Sequence, residues 1–346
     1  MTEIDLHNDN AIPHDLRSVD VCEVRVLVDN VSDLLSTVPA SVTPEVPNLL
    51  KAGMEELSGE CLCCAHWGLS LAITTKLDGR ERHLLFDTGP QGETVERNGA
   101  RLGLDFGQIQ CAVLSHGHWD HAGGMLKALN RITVANGGTK IPLHVNPGMF
   151  VKRAMEFPDG RIVPFKDVPG PDDLSASGAD LVNAEEARLL LDNTFYLSGE
   201  IPRITPYEKG LPGHVKQTKS QTGWEPDPLI MDERWLAVNV KGMGVIVFTA
   251  CSHAGVINVL KHAQKLFHPT PVYGVMGGFH LSGASCEQII PETIADLTTF
   301  GLKVIVPGHC TGWRATHALV NAFGEETVIP SAVGRLHRFS SSPKSP

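Results

Sequence analysis

The segment SHGHWDH at residues 115–121 concentrates three histidines and one aspartate, side chains that commonly bind metal ions. His116 and His118 lie two residues apart, so in an extended turn their imidazoles face the same side. Asp120 and His121 follow at the start of a predicted helix. A solvated polar turn is the alternative, but protonated imidazoles this close would repel one another, whereas neutral ones beside a carboxylate suit a cation. The segment therefore predicts a metal site, and its two groups of ligands indicate two adjacent ions.

Histidines also follow three later strands of the predicted fold. The segments VIVFTACSH, VYGVMGGFH and KVIVPGH place His253, His280 and His309 directly after apolar runs. A single histidine in such a position is usually a solvated or hydrogen-bonded loop residue. Because four strands share this arrangement, counting the strand before His116, we expect their histidines to lie along one rim of a sheet.

The apolar pattern alternates along the chain between a period of two and a period of 3.6, which predicts both strands and helices. Predicted strands are 22–29, 69–75, 82–89, 111–116, 141–146, 271–280 and 303–309, with a hairpin over 234–253 that turns at 241–244. Predicted helices are 121–129, 256–267, 291–300 and 313–323. Early strands follow one another and later strands alternate with helices. The predicted fold class is therefore α/β, a four-layer αββα sandwich of two mixed β-sheets flanked by helices.

The distribution of turn-forming and polar residues predicts the domain boundaries. We expect a disordered N-terminal extension over 1–17, a single domain over 18–338 and a disordered tail over 339–346. A loop insertion rich in Pro, Gly and Asp is expected near 158–178. Together with 49–67 and 206–228, this insertion is expected to cover the metal-bearing edge and to set specificity.

Charge and hydropathy exclude several classes of function. The 346 residues carry a formal net charge of -10 without a run of Lys or Arg, so we expect no nucleic acid partner. No apolar stretch reaches the roughly 18 residues of a membrane span, and the first residues lack the features of a signal peptide. The 8 cysteines have no paired spacing and are predicted to be reduced thiols. These features predict a cytoplasmic protein that acts on a small-molecule substrate, with its oligomeric state left open.

The segment LSHGHWDHAGG resembles the His-x-His-x-Asp-His signature of the metallo-β-lactamase superfamily, and Asp87 in LLFDTG resembles the strand-end aspartate that precedes it. Within this superfamily the chain is similar to the branch named for 7,8-dihydropterin-6-methyl-4-(ribofuranosyl)aminobenzene phosphate synthase. The motifs that carry this likeness are VLVDN, HWGLSLAI, SGEIPRITPYE, ACSHAGVIN, GGFHL and PGHCTG. The resemblance implies the αββα fold and a site for one or two metal ions along the sheet edges.

The resemblance also implies a ligand set: His116 and His118 for a first metal, Asp120, His121 and His309 for a second, and His253 in addition. The superfamily usually bridges the two metals with an aspartate and supplies one more histidine. Here Cys251 stands at the first of these places and Glu200 at the second. We interpret Cys251 first as a buried strand-end thiol and otherwise as a soft bridging thiolate. Glu200 is either an oxygen ligand or a partner of Arg203.

The predicted function is a metal-dependent hydrolase. A metal-activated water would attack an ester, lactone, thioester or phosphodiester, with Asp120 orienting the nucleophile and His280 contacting the substrate. Zinc is the expected metal, as one or two ions, and manganese, iron and magnesium are alternatives. A helix N-terminus after Gly123 and Gly124 would suit an anionic group of the substrate.

Two other functions are weighed against hydrolysis. The branch resemblance implies a pterin-dependent transferase that joins a pterin-methyl pyrophosphate to an aminobenzene ribofuranosyl phosphate and releases pyrophosphate. A non-catalytic metal or ligand sensor is the third hypothesis, and the missing bridging aspartate is the feature that favours it.

Overall fold

The computed structural model describes residues 15–341. Its β-strands are β1 (Ser18–Val19), β2 (Val21–Val28), β3 (Val42–Thr43), β4 (Ser70–Leu77), β5 (Arg80–Phe86), β6 (Cys111–Val113), β7 (Ile141–Val145), β8 (Arg153–Glu156), β9 (Ile162–Pro164), β10 (Ala179–Asn183), β11 (Arg188–Leu190), β12 (Phe195–Leu197), β13 (His214–Gln217), β14 (Trp224–Pro226), β15 (Trp235–Val240), β16 (Gly244–Thr249), β17 (Val272–Gly278), β18 (Val304–Gly308) and β19 (Leu336–Phe339). Its α-helices are α1 (Glu45–Lys51), α2 (Gly92–Arg101), α3 (Trp119–Ala122), α4 (Met125–Ala135), α5 (Pro171–Ala176), α6 (Val256–Phe267), α7 (Ile290–Leu297) and α8 (Trp313–Phe323).

Two mixed sheets face each other at the centre of the molecule. The 8-stranded sheet has the order β10-β7-β6-β5-β4-β2-β19-β3, and the 7-stranded sheet has the order β11-β12-β15-β16-β17-β18, with β1 paired to β15. Along β16, Ile246 and Phe248 pack between the sheets, whereas Val245 packs on the opposite side. Along β5, Phe86 likewise points between the sheets and Leu85 points away. Both faces of each sheet are therefore buried, which requires a further layer outside each one.

Helices supply these outer layers. On the 8-stranded sheet, α4 packs Leu129 and Ile132 into the cluster that contains Leu85. On the 7-stranded sheet, α6 and α8 pack Leu260 and Leu319 into the cluster that contains Val245. Helix α6 is buried over most of its length, and its exposed residues are Gln264 and Lys265 near its end. The predicted four-layer αββα sandwich is confirmed.

The helix predicted over 121–129 is divided into α3 and α4. Gly123 and Gly124 separate the two helices, and the chain passes very close to the loop that follows β5. A Cβ atom on Gly124 would lie 2.4 Å from the carbonyl oxygen of Thr88, and one on Gly123 would lie 2.0 Å from that of Pro90. Only glycine fits at this distance, so the two glycines bring the signature segment against the end of β5.

A third, 4-stranded sheet was not expected from the sequence. It has the order β14-β13-β8-β9, and all its pairings are antiparallel. Strand β9 and helix α5 lie within the predicted insertion 158–178, and β13 and β14 lie within 206–228, so both segments contain regular structure. We call this element the small sheet.

The ends of the described chain lie within the fold. Leu16 is buried in the core beside the 7-stranded sheet, and Phe339 is the buried last residue of β19. The folded region therefore extends beyond the predicted limits 18 and 338 at both ends. The rest of the predicted disordered segments, 1–14 and 342–346, lies outside the described residues. Within residues 15–341, no helix has the length and apolar character needed to cross a membrane.

Burial of an uncharged histidine predicts a pH dependence of stability. Burial, together with the nearby Arg335, lowers the pKa of His337 to about 3. Below about pH 6.5 the unfolded chain binds a proton at this residue that the folded chain does not bind, so the free energy of unfolding falls as the pH decreases. The contribution approaches about 1.4 kcal/mol per pH unit between the two pKa values.

Urea unfolding of metal-free wild type and His337→Gln between pH 7 and pH 4 measures this contribution. We expect a shallower loss of stability in the variant over this range. Identical slopes for the two proteins would contradict the assignment.

Candidate metal centre

The carboxyl ends of five parallel strands meet at one edge of the sandwich, which we call the rim. Strands β5 and β6 are parallel neighbours in one sheet, and β16, β17 and β18 are parallel neighbours in the other. The side chains at these ends are Asp87 after β5, His116 after β6, His253 after β16, His280 after β17 and His309 after β18. The histidines expected to share one edge do lie along it, and this is the edge at which α/β sheets commonly bind ligands.

The backbone at the rim is strained. Four non-glycine residues there have positive φ: Asp87 (φ 56), Ser252 (φ 56), His280 (φ 46) and His309 (φ 45). Such a conformation costs about 1–3 kcal/mol per residue and persists only where the surroundings impose it. Buried Glu233 holds the backbone directly after Ser252. Its carboxylate accepts hydrogen bonds from the backbone N–H of His253 at 2.8 Å and of Ala254 at 2.6 Å. The strand ends are thereby turned sharply towards a common centre.

Metal-binding atoms converge at this centre in overlapping groups. In each group of three residues, the ligand atoms lie within 4.8 Å of one another. We call His116, His118 and His253 the first group, and Asp120, His121 and His309 the second group. Cys251 belongs to the three remaining groups: with His116 and His121, with His253 and His280, and with His309 and Cys310. The predicted ligands are thus brought together in two sets, with a thiol between them.

An outer hydrogen bond orients the imidazoles of His116 and His121. Asp87 Oδ2 lies 2.7 Å from His121 Nδ1 and 2.7 Å from Ser115 Oγ, which donates to it. His116 Nδ1 lies 2.9 Å from the same hydroxyl, so it must donate its N–H to Ser115 Oγ. His116 therefore carries its proton on Nδ1 and has a lone pair on Nε2. Burial lowers the pKa of His121, but Asp120 and Asp87 outweigh this effect and raise that pKa to about 9, so a metal ion at Nε2 of His121 would displace a proton. In both rings Nδ1 bonds to an outer partner and Nε2 points to the centre. This is the arrangement by which proteins orient histidines on metals.

His309 is oriented in the same way from another part of the chain. Its Nδ1 lies 3.1 Å from Asn30 Oδ1, and Asn30 Nδ2 donates in turn to the His309 carbonyl oxygen at 2.7 Å. His309 Nε2 is buried and has no hydrogen-bond partner among the described residues. This nitrogen lies 3.5 Å from Asp120 Oδ2, within the second group.

Unpartnered nitrogens also mark the first group. His116 Nε2 and His118 Nδ1 face each other at 3.1 Å, and both ring nitrogens of buried His253 lack a hydrogen-bond partner within residues 15–341. Burial, followed by the repulsion of neighbouring imidazoles, holds the pKa of His116, His118 and His253 well below the usual range. These histidines are therefore neutral and able to accept a cation. An orphaned buried nitrogen is costly without one, so the donor set fits a metal ion.

Cys251 occupies the place between the two groups. Its Sγ lies 3.1 Å from His121 Nε2, and the residue is 3% exposed. Burial, with Cys310 next to it, raises the pKa of this thiol well above the usual value. In the absence of a cation the thiol is therefore protonated, whereas a metal ion would bind it as the thiolate.

Trp67 covers the second group from the solvent side. Its Nε1 donates to Asp120 Oδ2 at 3.0 Å, and its ring centroid lies 5.1 Å from that of His309. The indole is 47% exposed, so one face remains open. Burial alone would raise the pKa of Asp120, but His121 and His309 outweigh it and lower that pKa to about 2. Asp120 is therefore an anion whose direction is set by an indole N–H.

Of the other two predicted site residues, the structure places His280 on the rim and leaves Glu200 outside the candidate groups. Glu200 is exposed and belongs to none of the candidate groups within residues 15–341, so the structure does not bring it to the metal ligands. His280 lies on the rim, with its ring 4.4 Å from that of His253 and its ligand atom in the group with Cys251.

Sequence reasoning missed several residues that contact the predicted ligands. Asn30 and Trp67 lie inside the motifs VLVDN and HWGLSLAI, which carried the family likeness without a stated role. Ser115 directly precedes the signature. His214 lies in β13 of the small sheet and contacts His118. The segment 206–228 that contains it was expected to cover the metal-bearing edge, but no motif indicated a role for His214 itself.

This chain matches one family model and is similar to two proteins of Methanocaldococcus jannaschii. A family model described as the metallo-beta-lactamase superfamily matches residues 73–189, which include the signature. A Methanocaldococcus jannaschii protein named 7,8-dihydropterin-6-methyl-4-(beta-D-ribofuranosyl)-aminobenzene-5'-phosphate synthase is 29% identical over 259 residues, covering 75% of this chain and 85% of the relative. An uncharacterized protein of the same organism is 31% identical over 234 residues, covering 68% of this chain and 81% of the relative.

Solved structures show the same fold. One described as a metal-dependent hydrolase of the beta-lactamase superfamily has a TM-score of 0.66 at 20% identity, covering 93% of this chain and all (100%) of that chain. The metallo-beta-lactamase fold protein YhfI from Bacillus subtilis has a TM-score of 0.51 at 10% identity, covering 92% of this chain and 100% of that chain. At these identities the likeness concerns the fold alone.

The outer hydrogen bond of His121 provides a test of the centre. In Asp87→Asn the new amide would donate towards His121 Nδ1, which moves the ring proton to Nε2 and blocks the nitrogen that faces the second group. Asparagine tolerates positive φ, so the backbone at this position should be retained. We expect zinc affinity of the second group to fall by about 10- to 100-fold.

Equilibrium dialysis against a competing chelator measures the affinities of both groups. Asp159→Asn, at an exposed aspartate paired with Arg161, is the matched control and should leave both affinities unchanged. Equal zinc affinities in Asp87→Asn and the control would contradict the proposed orientation.

Proposed function

Because this chain belongs to the metallo-β-lactamase superfamily, we propose that it is a metal-dependent hydrolase of small molecules that carry an ester, lactone, thioester or phosphodiester group. The observation that carries the proposal is the pair of ligand groups at the rim, in which outer hydrogen bonds hold the imidazoles with one ring nitrogen pointing inward. A buried set of this kind has no structural use without a cation.

The residues present fit two metal ions. His116, His118 and His253 would hold the first, and Asp120, His121 and His309 would hold the second. Cys251 would bind between them as a thiolate, in the place of the bridging aspartate. Imidazole with thiolate favours zinc or iron over magnesium and manganese, and zinc is the metal we propose. When bound, such ions lower the pKa of water and polarise the oxygen of an electrophile.

The chain's own side chains would position the reactants. Asp120 is held in place by the Trp67 N–H, so one of its oxygens has a defined direction for orienting a nucleophile. His280 belongs to one candidate group with Cys251 and His253, and its side chain is only partly buried. We propose that His280 contacts the substrate at the rim. The open face of Trp67 would border the same substrate on the side of the second group.

A pterin-dependent transferase is the second candidate, because a relative that covers 75% of this chain has a synthase name of that kind. The same centre would serve it if the nucleophile were an aminobenzene ribofuranosyl phosphate instead of water. The leaving group would then be pyrophosphate, stabilised by positive charge at the rim.

A substrate panel tests the proposal. We expect the zinc-loaded protein to hydrolyse at least one class among chromogenic esters, lactones, thioesters and bis-phosphodiesters. Asp120→Asn should lower kcat on that substrate by about 100- to 10,000-fold, because the substitution removes the charge that orients the nucleophile. Asp159→Asn should retain wild-type kcat, and metal content measured on the same samples separates loss of catalysis from loss of zinc.

The alternatives have their own outcomes in the same panel. Pyrophosphate release that requires both a pterin-methyl pyrophosphate and an aminobenzene ribofuranosyl phosphate, without hydrolysis of any panel member, would replace the hydrolase with the transferase. Zinc binding without either reaction would replace both with a sensor.

A further inference from the structure

His214 is the first residue of β13 in the small sheet, and it reaches the signature segment from outside the sandwich. The residue is 1% exposed, and its Nε2 lies 3.0 Å from Nε2 of His118. Phe165 closes the space around the pair, with its ring centroid 5.4 Å from that of His118 and 5.9 Å from that of His214. The two imidazoles therefore meet away from the protein surface. One of the two Nε2 atoms must donate the hydrogen bond between them and the other must accept it.

The hydrogen bond made by the other ring nitrogen of His214 determines which Nε2 is the donor. Its Nδ1 lies 2.7 Å from the carbonyl oxygen of Asp227, which can only accept a hydrogen bond. Nδ1 of a neutral His214 therefore carries the proton, and its Nε2 has a lone pair. His118 Nε2 must then be the donor, so the proton of His118 is on Nε2 and the lone pair is on Nδ1. This lone pair faces His116 Nε2, 3.1 Å away, at the position of the first group.

A second contact holds the small sheet in register with the signature. Arg153 of β8 is the pairing partner of Lys216 in β13, and its guanidinium forms an ion pair with Asp232. The other carboxylate oxygen of Asp232 accepts a hydrogen bond from the backbone N–H of Gly117 at 2.8 Å. A Cβ atom on Gly117 would lie 2.3 Å from Arg153 Nη1, so glycine is required between the two histidines for this approach. The position of His214 relative to His118 is thereby defined by more than their own hydrogen bond.

The geometry does not favour His214 as a metal ligand itself. Among residues 15–341, no group of three ligand atoms within 4.8 Å includes His214, and His118 can direct only one nitrogen to each side. His214 has instead the position that Asp87, Ser115 and Asn30 have behind the other ligands.

We propose that His214 is a positioning residue for the metal ligand His118, and that the Asp227 carbonyl, His214 and His118 form a chain of hydrogen bonds that presents His118 Nδ1 to the first metal. This inference rests on the proposed metal centre and adds to it a role for the small sheet. An element outside the two central sheets thus controls one ligand of the site.

Zinc affinity of the first group tests the inference by a readout other than activity. In His214→Ala we expect that affinity to fall by about 10- to 100-fold, with the affinity of the second group unchanged. His214→Gln retains an acceptor near the position of Nε2 and should recover most of the loss. Gln217→Ala, on the same strand, is the matched control for a general disturbance of β13 and should bind zinc like wild type.

The proton position on His118 can be measured directly by two-bond ¹H–¹⁵N correlation spectra of the metal-free protein with labelled histidine. We expect the Nε2–H tautomer of His118 in wild type and a mixture of both tautomers in His214→Ala. An Nδ1–H tautomer in wild type would overturn the inference, as would undiminished zinc affinity of the first group in His214→Ala. Failure of wild type to bind zinc at the first group, with His118 still in the Nε2–H form, would overturn the metal centre and not the orientation of His118.

Discussion

The rim depends on one constraint, which is that a buried imidazole has two ring nitrogens and each of them needs a partner. His116, His121 and His309 each direct Nδ1 to an outer partner, and those partners are Ser115, Asp87 and Asn30. The inward nitrogens are crowded at one centre together with those of the neutral rings of His118 and His253. Buried nitrogens without hydrogen-bond partners are costly, and a cation is the partner that satisfies them.

The two-sheet fold brings these histidines together. Parallel strands from both sheets end at the same edge, so side chains far apart in the sequence meet there. The turns at these ends have positive φ at residues that do not favour it, and buried carboxylates such as Glu233 bind the backbone that follows. The favourable free energy of apolar packing on both sides of each sheet offsets the cost of this strained backbone.

The sequence was informative wherever local pattern determines structure. The helix over 256–267 and the histidines at the strand ends follow from periodicity and from apolar runs, and the signature segment follows from ligand spacing. The small sheet did not, because β13 (HVKQ) and β14 (WEP) are short and largely polar, and their pairing with β8 depends on tertiary contacts. The role of Asn30 was hidden for a similar reason, because it is 279 residues from His309 in the chain. Glu200 was assigned to the site by its place in a motif; in the structure it is exposed and belongs to none of the candidate groups within residues 15–341.

The proposed centre has two metal positions that share Cys251, and the metal content of the protein tests this most directly. Elemental mass spectrometry of protein purified without chelator should give about two zinc ions per chain, and about one in Cys251→Ser if the thiolate is shared between the positions. About one ion per chain in both proteins would contradict the shared centre, because Cys251 would then be a buried thiol beside a single metal site.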